Sequence, residues 1–254
     1  MIHYPRGLFV TDDEEVLFAD GGNHRVRKID RNGIITTIAG NGKKGFNGDD
    51  KLATSASLYY PSSVFQYKDE IYIADKNNYR IRNIDGNGII TTITGNENIS
   101  AFSVFINNVF VYNDEVYFTN GKLCKIFPSG IIKTIAGVNE KGFNGDDILA
   151  TQCKLNNPRG IFVDNDSQIY IVDASNHCIR RVDQDNIMRR VIGKPGQAGY
   201  SDDVPFDFKK FPHIGPKKKS FIKPFPHAYH DLIVKCKEMC LFEHYEPATK
   251  KIKY

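Results

Sequence analysis

The sequence contains no tryptophan and only three methionines and five cysteines among 254 residues. Each shortage excludes something. Cys124, Cys153, Cys178, Cys236 and Cys240 are odd in number and scattered, which fits reduced thiols in an intracellular protein better than a disulfide framework. No apolar run approaches the ~18 residues of a membrane-spanning helix. The opening Met1-Ile2-His3-Tyr4-Pro5-Arg6-Gly7 has neither the basic start nor the apolar stretch of a secretory signal. These features predict an intracellular, cytoplasmic protein with no membrane partner. Helical periodicity of useful length is also missing before residue 204.

A strong charge of one sign is lacking from the main body as well. Residues 1–203 hold 23 Lys and Arg against 25 Asp and Glu, whereas residues 204–254 hold 11 Lys against 5 acids. The net +4 therefore belongs to the tail, and charge alone marks no basic binding face on the body. Apolar residues still make up 41% of the chain, with 17 Phe and 13 Tyr supplying aromatic mass. That is enough for a real core.

What fills the body is a repeat. Val16-Leu17-Phe18-Ala19-Asp20, Ile71-Tyr72-Ile73-Ala74-Asp75, Val116-Tyr117-Phe118-Thr119-Asn120 and Ile169-Tyr170-Ile171-Val172-Asp173 align, at spacings of 55, 45 and 53 residues. Each is preceded by another short apolar run (Leu8-Phe9-Val10 in the first copy). Each is followed by two more, Val26-Arg27-Lys28-Ile29 and Ile34-Ile35-Thr36-Thr37-Ile38 in that copy. β-Branched and aromatic alternation broken by Asp, Asn and Gly reads as antiparallel strands. The pairs Asn32-Gly33, Asn87-Gly88 and Ser129-Gly130 mark tight turns. Four strands per unit at this period is the arithmetic of a β-propeller blade, and one blade cannot bury both faces of its sheet alone. The expected fold class is all-β: a β-propeller of four-stranded antiparallel blades.

Pro5-Arg6-Gly7-Leu8-Phe9-Val10, Asp20-Gly21-Gly22-Asn23-His24-Arg25-Val26-Arg27 and Ile38-Ala39-Gly40-Asn41-Gly42 resemble the NHL repeat. So do Ala74-Asp75-Lys76-Asn77-Asn78-Tyr79-Arg80, Pro158-Arg159-Gly160-Ile161 and Asp173-Ala174-Ser175-Asn176-His177. The loops Gly45-Phe46-Asn47-Gly48-Asp49-Asp50 and Gly142-Phe143-Asn144-Gly145-Asp146-Asp147 match the connector that often follows such a unit. The resemblance covers residues 5–203 and places blades at about 5–50, 61–100, 106–147 and 158–203. Residues 204–226 read as a basic, proline-rich linker. Residues 227–254 read as a short C-terminal segment, the start of a truncated second domain, with a faint resemblance to the opening strand of a BTB-type domain. Family propellers usually close with six blades, so the visible four predict an incomplete or open array. The third unit departs from the pattern, with Ile106 in place of Pro and a shortened hairpin at Asn120-Gly121-Lys122-Leu123-Cys124.

The recurrence of Asp20, Asn23 and Arg25, of Asp75, Asn78 and Arg80, and of Asp173 and Asn176 marks a hairpin device: an acid and a guanidinium bonded across a turn. A catalytic group would occur once. In the connectors, the paired carboxylates are oxygen donors suited to calcium, but the spacing is not that of a calcium loop. The reading preferred is an ordered connector, with Phe46 or Phe143 as anchor and Asp accepting backbone N–H groups. In the tail, Cys236, Cys240 and His244 share a helical spacing but lack a close Cys-x2-Cys knuckle. Lysines interleaved with Phe206, Phe208, Phe211 and Phe221 suit a solvated connector, or contact with an acidic surface. Nothing resembles a nucleophile elbow, a phosphate-binding glycine loop or a metalloprotease helix.

The resemblance implies a non-enzymatic scaffold that presents its surface to another protein in signalling or ubiquitin-related assemblies, without a cofactor, metal or catalytic residue. Arg6, Arg25, Tyr79, Arg80 and Arg159 are the candidate binding residues. The alternatives are RNA binding and, from a different class, a metal-dependent propeller lyase or lactonase. The slightly acidic body ranks protein above RNA.

Overall fold

Runs of Val, Ile, Phe and Tyr separated by Asp and Asn-Gly turns become strands in the computed structural model, which describes residues 1–95 and 105–199. Asp30 shows how the turns are made. Its Oδ1 accepts the N–H groups of Asn32 (2.9 Å) and Ile34 (2.8 Å), while Gly33 supplies the positive φ of 78°. Asp85 and Asp183 repeat the device at their own turns.

Four antiparallel sheets result. The first blade comprises β1 (Pro5–Val10), β2 (Val16–Asp20), β3 (Arg25–Ile29) and β4 (Ile35–Ala39). After a short β5 (Lys51–Leu52), the second comprises β6 (Ser63–Tyr67), β7 (Glu70–Asp75), β8 (Arg80–Ile84) and β9 (Ile89–Thr94). The third comprises β10 (Asn108–Tyr112), β11 (Glu115–Thr119), β12 (Leu123–Ile126) and β13 (Ile132–Ala136). After β14 (Ile148–Leu149), the fourth comprises β15 (Pro158–Val163), β16 (Ile169–Asp173), β17 (Cys178–Val182) and β18 (Ile187–Gly193). The described residues form an all-β, four-bladed propeller. Two sheets depart from the expected four strands. β5 pairs with β9 and β14 with β18, so the second and fourth blades are five-stranded. The outer edge of each has unpaired backbone groups, and the incoming connector satisfies them.

Packing follows the alternation. Leu17, Val26 and Ala39 of the first blade bury against Val64, Ile73, Ile84 and Ile90 of the second. Tyr72, Ala74 and Ile81 bury against Val109, Phe118 and Ile126, and then Tyr117, Leu123 and Ala136 against Ile161, Ile171, Val182 and Met188. Each fully buried Ile, Leu or Val is worth roughly 1.5–3 kcal/mol, so the blades are held together by their flanks. The first strands lie side by side, and Phe9, Phe65, Phe110 and Phe162 form a continuous aromatic row with centroids 4.7, 4.6 and 5.8 Å apart.

Cys124, Cys153 and Cys178 are buried free thiols, and burial pushes the Cys178 thiol up to about 12. Ile106, which replaces Pro in the third unit, is fully buried. No helix among the described residues is long and apolar enough to cross a membrane. The chain divides into Met1–Ala198 and Gly199–Tyr254. The expected linker at 204–226 and the segment 227–254, with Cys236, Cys240 and His244, lie outside the described residues.

Candidate functional site

The second strand of three blades ends on a buried acid, Asp20, Asp75 or Asp173, followed by a short 3-10 turn. His24, Tyr79 and His177 close these turns in the left-handed region, at φ of 55°, 56° and 57°. Asn23, Asn78 and Asn176 donate from Nδ2 to the acid three residues earlier at 2.9, 2.7 and 2.8 Å. The same acids accept the backbone N–H of His3 (2.8 Å), Tyr59 (2.7 Å) and Asn156 (2.8 Å), on the chain leading into each blade. Asn78 and Asn176 also donate to the carbonyls of Gly45 and Gly142 in the connectors, each at 2.7 Å.

The cation beside each acid is not the one the motif suggests. Arg25 donates to the carbonyls of Asn23 and Asn41, and Arg80 donates to Asn78 and lies 4.0 Å above the Phe46 ring. The turn and the connector thus draw both guanidiniums away from the acids. The ion pairs fall to Arg27, Arg82 and Arg180, at 4.0, 3.6 and 3.5 Å from Asp20, Asp75 and Asp173. These arginines recur at one place in every strand run except the third, a signal that was readable but hidden inside apolar alternation.

The connectors serve the same arginines. Asp49 accepts from Arg82 (2.9 Å) and from Thr92 Oγ1 (2.9 Å), and Asp146 pairs with Arg180 (3.3 Å) and Arg190 (3.4 Å). Phe46 and Phe143 lie under Arg82 and Arg180 at 4.9 and 5.0 Å. The first carboxylate of each connector thus answers to a guanidinium rather than to backbone N–H groups. Among the described residues, no group of three His, Cys, Asp or Glu is placed to hold a metal ion.

Burial dominates the electrostatics of this device. Desolvation pushes Asp75 up to about 6 against the pull of Asn78, Tyr59 and Arg82, and it raises Asp173 as well. His24 is lowered, first by desolvation and then by Lys44 and Arg25. Its Nδ1 accepts the N–H of Tyr60 at 3.2 Å, which needs the neutral ring.

All five candidate binding residues stand at the end where the first strands begin. Asn107 donates to the carbonyl of Pro158 (3.1 Å) and Ser62 to that of Ile106 (3.1 Å), joining neighbouring strand starts. Arg6 donates to Tyr60 Oη (3.2 Å) and lies 4.9 Å over its ring, with Tyr4 alongside. Tyr79 stacks on Phe105 at 5.3 Å, and Lys76 sits 5.5 Å from that ring. Arg25 and Arg80 are clamped as described, and Arg159 opens β15 in the fourth blade. Sequence reasoning missed Tyr4, Tyr60 and Phe105, although each directly precedes the Pro5, Pro61 or Ile106 that opens its unit, and it passed over Lys76 inside the repeated hairpin. Tyr4, Tyr79 and Phe105 are exposed. At the opposite end, a cleft of about 320 Å³ lies between the third and fourth blades. Its Glu115 is already engaged by Lys125 (2.9 Å) and Tyr117 (2.8 Å).

The Teneurin NHL domain family matches residues 138–204. The protein SUPPRESSOR OF QUENCHING 1, chloroplastic, of Arabidopsis thaliana is 28% identical over 228 residues, covering 78% of this chain and 21% of that protein. Teneurin-4 of Homo sapiens is 25% identical over 214 residues, covering 69% of this chain and 8% of that protein. The chain thus spans a small part of both relatives. Among solved structures, a chain of a nidogen/laminin complex superposes with a TM-score of 0.54 at 17% identity, covering 76% of this chain and 66% of that one. A streptogramin B lyase superposes at 0.51 and 15% identity, covering 73% and 53%. At such identities the likeness is one of fold.

Proposed function

As an NHL-repeat β-propeller segment, the chain carries a rigid surface on its blade ends, and we propose that it is a non-enzymatic module binding another protein there. The observation that carries this reading is the aromatic and cationic set on the strand-start face, where Tyr4, Tyr79 and Phe105 are exposed and Arg6, Tyr60 and Lys76 lie half-buried beside them. Tyrosine and arginine on a preorganised backbone are the residue types that anchor protein interfaces, since their rings bury large areas at low entropy cost. The hairpin device beneath holds that face still. Its acids and arginines are consumed in fixing the turns, which accounts for their repetition without invoking chemistry.

The test is affinity capture from native extract with wild-type protein and with Tyr79→Asn and Arg6→Ala variants, with and without nuclease. Asn tolerates the positive φ at position 79. A specific protein retained after nuclease and lost with either variant supports the reading. Retention of RNA alone, abolished by nuclease, overturns it in favour of RNA binding.

A further inference from the structure

Acids and cations nearly balance along residues 1–203, but the fold sorts them by end. The strand-start end is built from the chain at 3–6, 59–62, 105–108 and 156–159, the hairpins at 20–25, 75–80, 120–123 and 173–178, and the connector openings at 40–45 and 137–142. These segments hold nine Lys and Arg against four acids. Three of those acids, Asp20, Asp75 and Asp173, are fully buried, and Lys154 engages the fourth, Glu140. The opposite end is built from the turns at 11–15, 30–34, 68–70, 85–88, 113–115, 127–131, 164–168 and 183–186. Those turns hold fourteen Asp and Glu against Arg31 and Lys68.

The buried acids do not neutralise the strand-start surface, because each already faces an arginine of its own blade: Arg27, Arg82 or Arg180. Above them, Lys43, Lys44 and Lys141 are exposed, and Lys76 is half-buried. His24 lies within the resulting field. Desolvation pushes its value down first, Lys44, Arg25 and His3 push it further, and the bond with the Gly21 backbone acts in the opposite direction. A group on this face thus already resists gaining positive charge.

Given the protein-binding reading, on which this rests, we propose that the partner reaches the strand-start face through an acidic peptide segment. Its carboxylates lie against Lys43, Lys44 and Lys76, beside the exposed rings of Tyr4, Tyr79 and Phe105. Complementarity of this kind speeds association and rejects partners of the wrong charge. A phosphate backbone fits the face less well. It draws its affinity from many cations in step with its phosphates, whereas Arg25 and Arg80 are held on the carbonyls of Asn23, Asn41 and Asn78. The lysines also come from different blades, with Lys44 after the first, Lys76 in the second and Lys122 in the third, so they ring the end instead of lining one track.

Fluorescence anisotropy with the full chain tests this, using a labelled peptide of alternating Glu and Tyr, the same peptide with Lys for Glu, and a single-stranded RNA oligonucleotide. The expected result is reversible binding of the acidic peptide at low salt, weakening as salt is raised. The pair Lys43→Glu with Lys44→Glu, and separately Lys76→Glu, should each weaken it at least about fivefold, which is about 1 kcal/mol. Lys68→Glu, at the opposite end, should leave it unchanged. No binding of the acidic peptide overturns the proposal, as does equal binding of the basic one, indifference to the lysine variants, or tighter binding of the RNA. In capture from extract, a protein whose retention ignores both salt and the lysine variants leaves the protein-binding reading standing and overturns this one.

Discussion

Arg82 lies 2.9 Å from Asp49, an acid delivered by the connector of the preceding blade, and 3.6 Å from Asp75 of its own blade. The guanidinium and the Asp75 carboxylate are both fully buried. One side chain therefore joins the hairpin turn of a blade to the loop that ties that blade to its neighbour. A buried ion pair of this kind gives little net stability against a well-packed apolar substitute, but losing one partner leaves an uncompensated charge.

Arg82→Met should cost about 3–5 kcal/mol, because Asp75 then stays buried without its cation. Asp49→Asn should cost less, about 1 kcal/mol, since Asp49 is partly exposed and Asn still accepts one hydrogen bond. Guanidinium denaturation of the two variants reads the difference. Equal costs would mean that Asp75 does not rely on Arg82.

The glycines ending the fourth strands supply a second test. Gly40 has a φ of 91°, and a Cβ added there would collide with the His24 carbonyl oxygen, whereas Gly33 at 78° faces open space. Gly33→Ala should cost about 1–2 kcal/mol from backbone strain alone. Gly40→Ala should cost more, about 3 kcal/mol or above, because a backbone clash adds to that strain. Thermal denaturation should rank the variants in that order.

Much of this fold was legible because the side-chain period is local. Val16-Leu17-Phe18-Ala19-Asp20 shows its alternation and its closing acid within five residues, and the copies confirm one another. The fifth strands were not legible: Lys51-Leu52 and Ile148-Leu149 are strand only because β9 and β18 offer them an edge. The partner of Asp75 was misjudged for a related reason. Arg80 is nearer in sequence, yet Phe46 and the Asn78 carbonyl claim it, and that competition exists only once the connector folds over the turn. Phe105 and Tyr60 recur at one position, just before Ile106 and Pro61, but their contacts with Tyr79 and Arg6 join residues distant in sequence and exist only once the blades pack.

Exposed charges should behave differently from the buried ones. Lys68 and Asp114 pair between neighbouring blades with side chains 63% and 58% exposed. Solvent screening makes such a pair worth little, so Lys68→Ala should leave the denaturation midpoint unchanged within error. A loss comparable with that of Arg82→Met would show that blade boundaries rest on surface charge rather than on their apolar flanks.

The pH dependence of stability isolates Asp75. In the folded chain, desolvation pushes this carboxyl up to about 6, above the ordinary 3.8 it regains on unfolding. Between about pH 4 and 6 the folded chain therefore holds a proton that the unfolded chain has released. Stability from this group is fully present below about 4, falls as pH rises, and is level above 6. His24 works in the opposite sense. Its lowered value means that acid charges it in the unfolded chain first, so its contribution falls as pH drops below 6.5. Comparison with Asp75→Asn cancels His24 and the other carboxyls, because both proteins share them. In paired urea denaturations, the stability of wild type minus variant should decrease as pH is raised from 4 to 6 and then hold constant. A difference that grows over that interval would mean that Asn78, Tyr59 and Arg82 together outweigh desolvation and hold Asp75 ionised throughout.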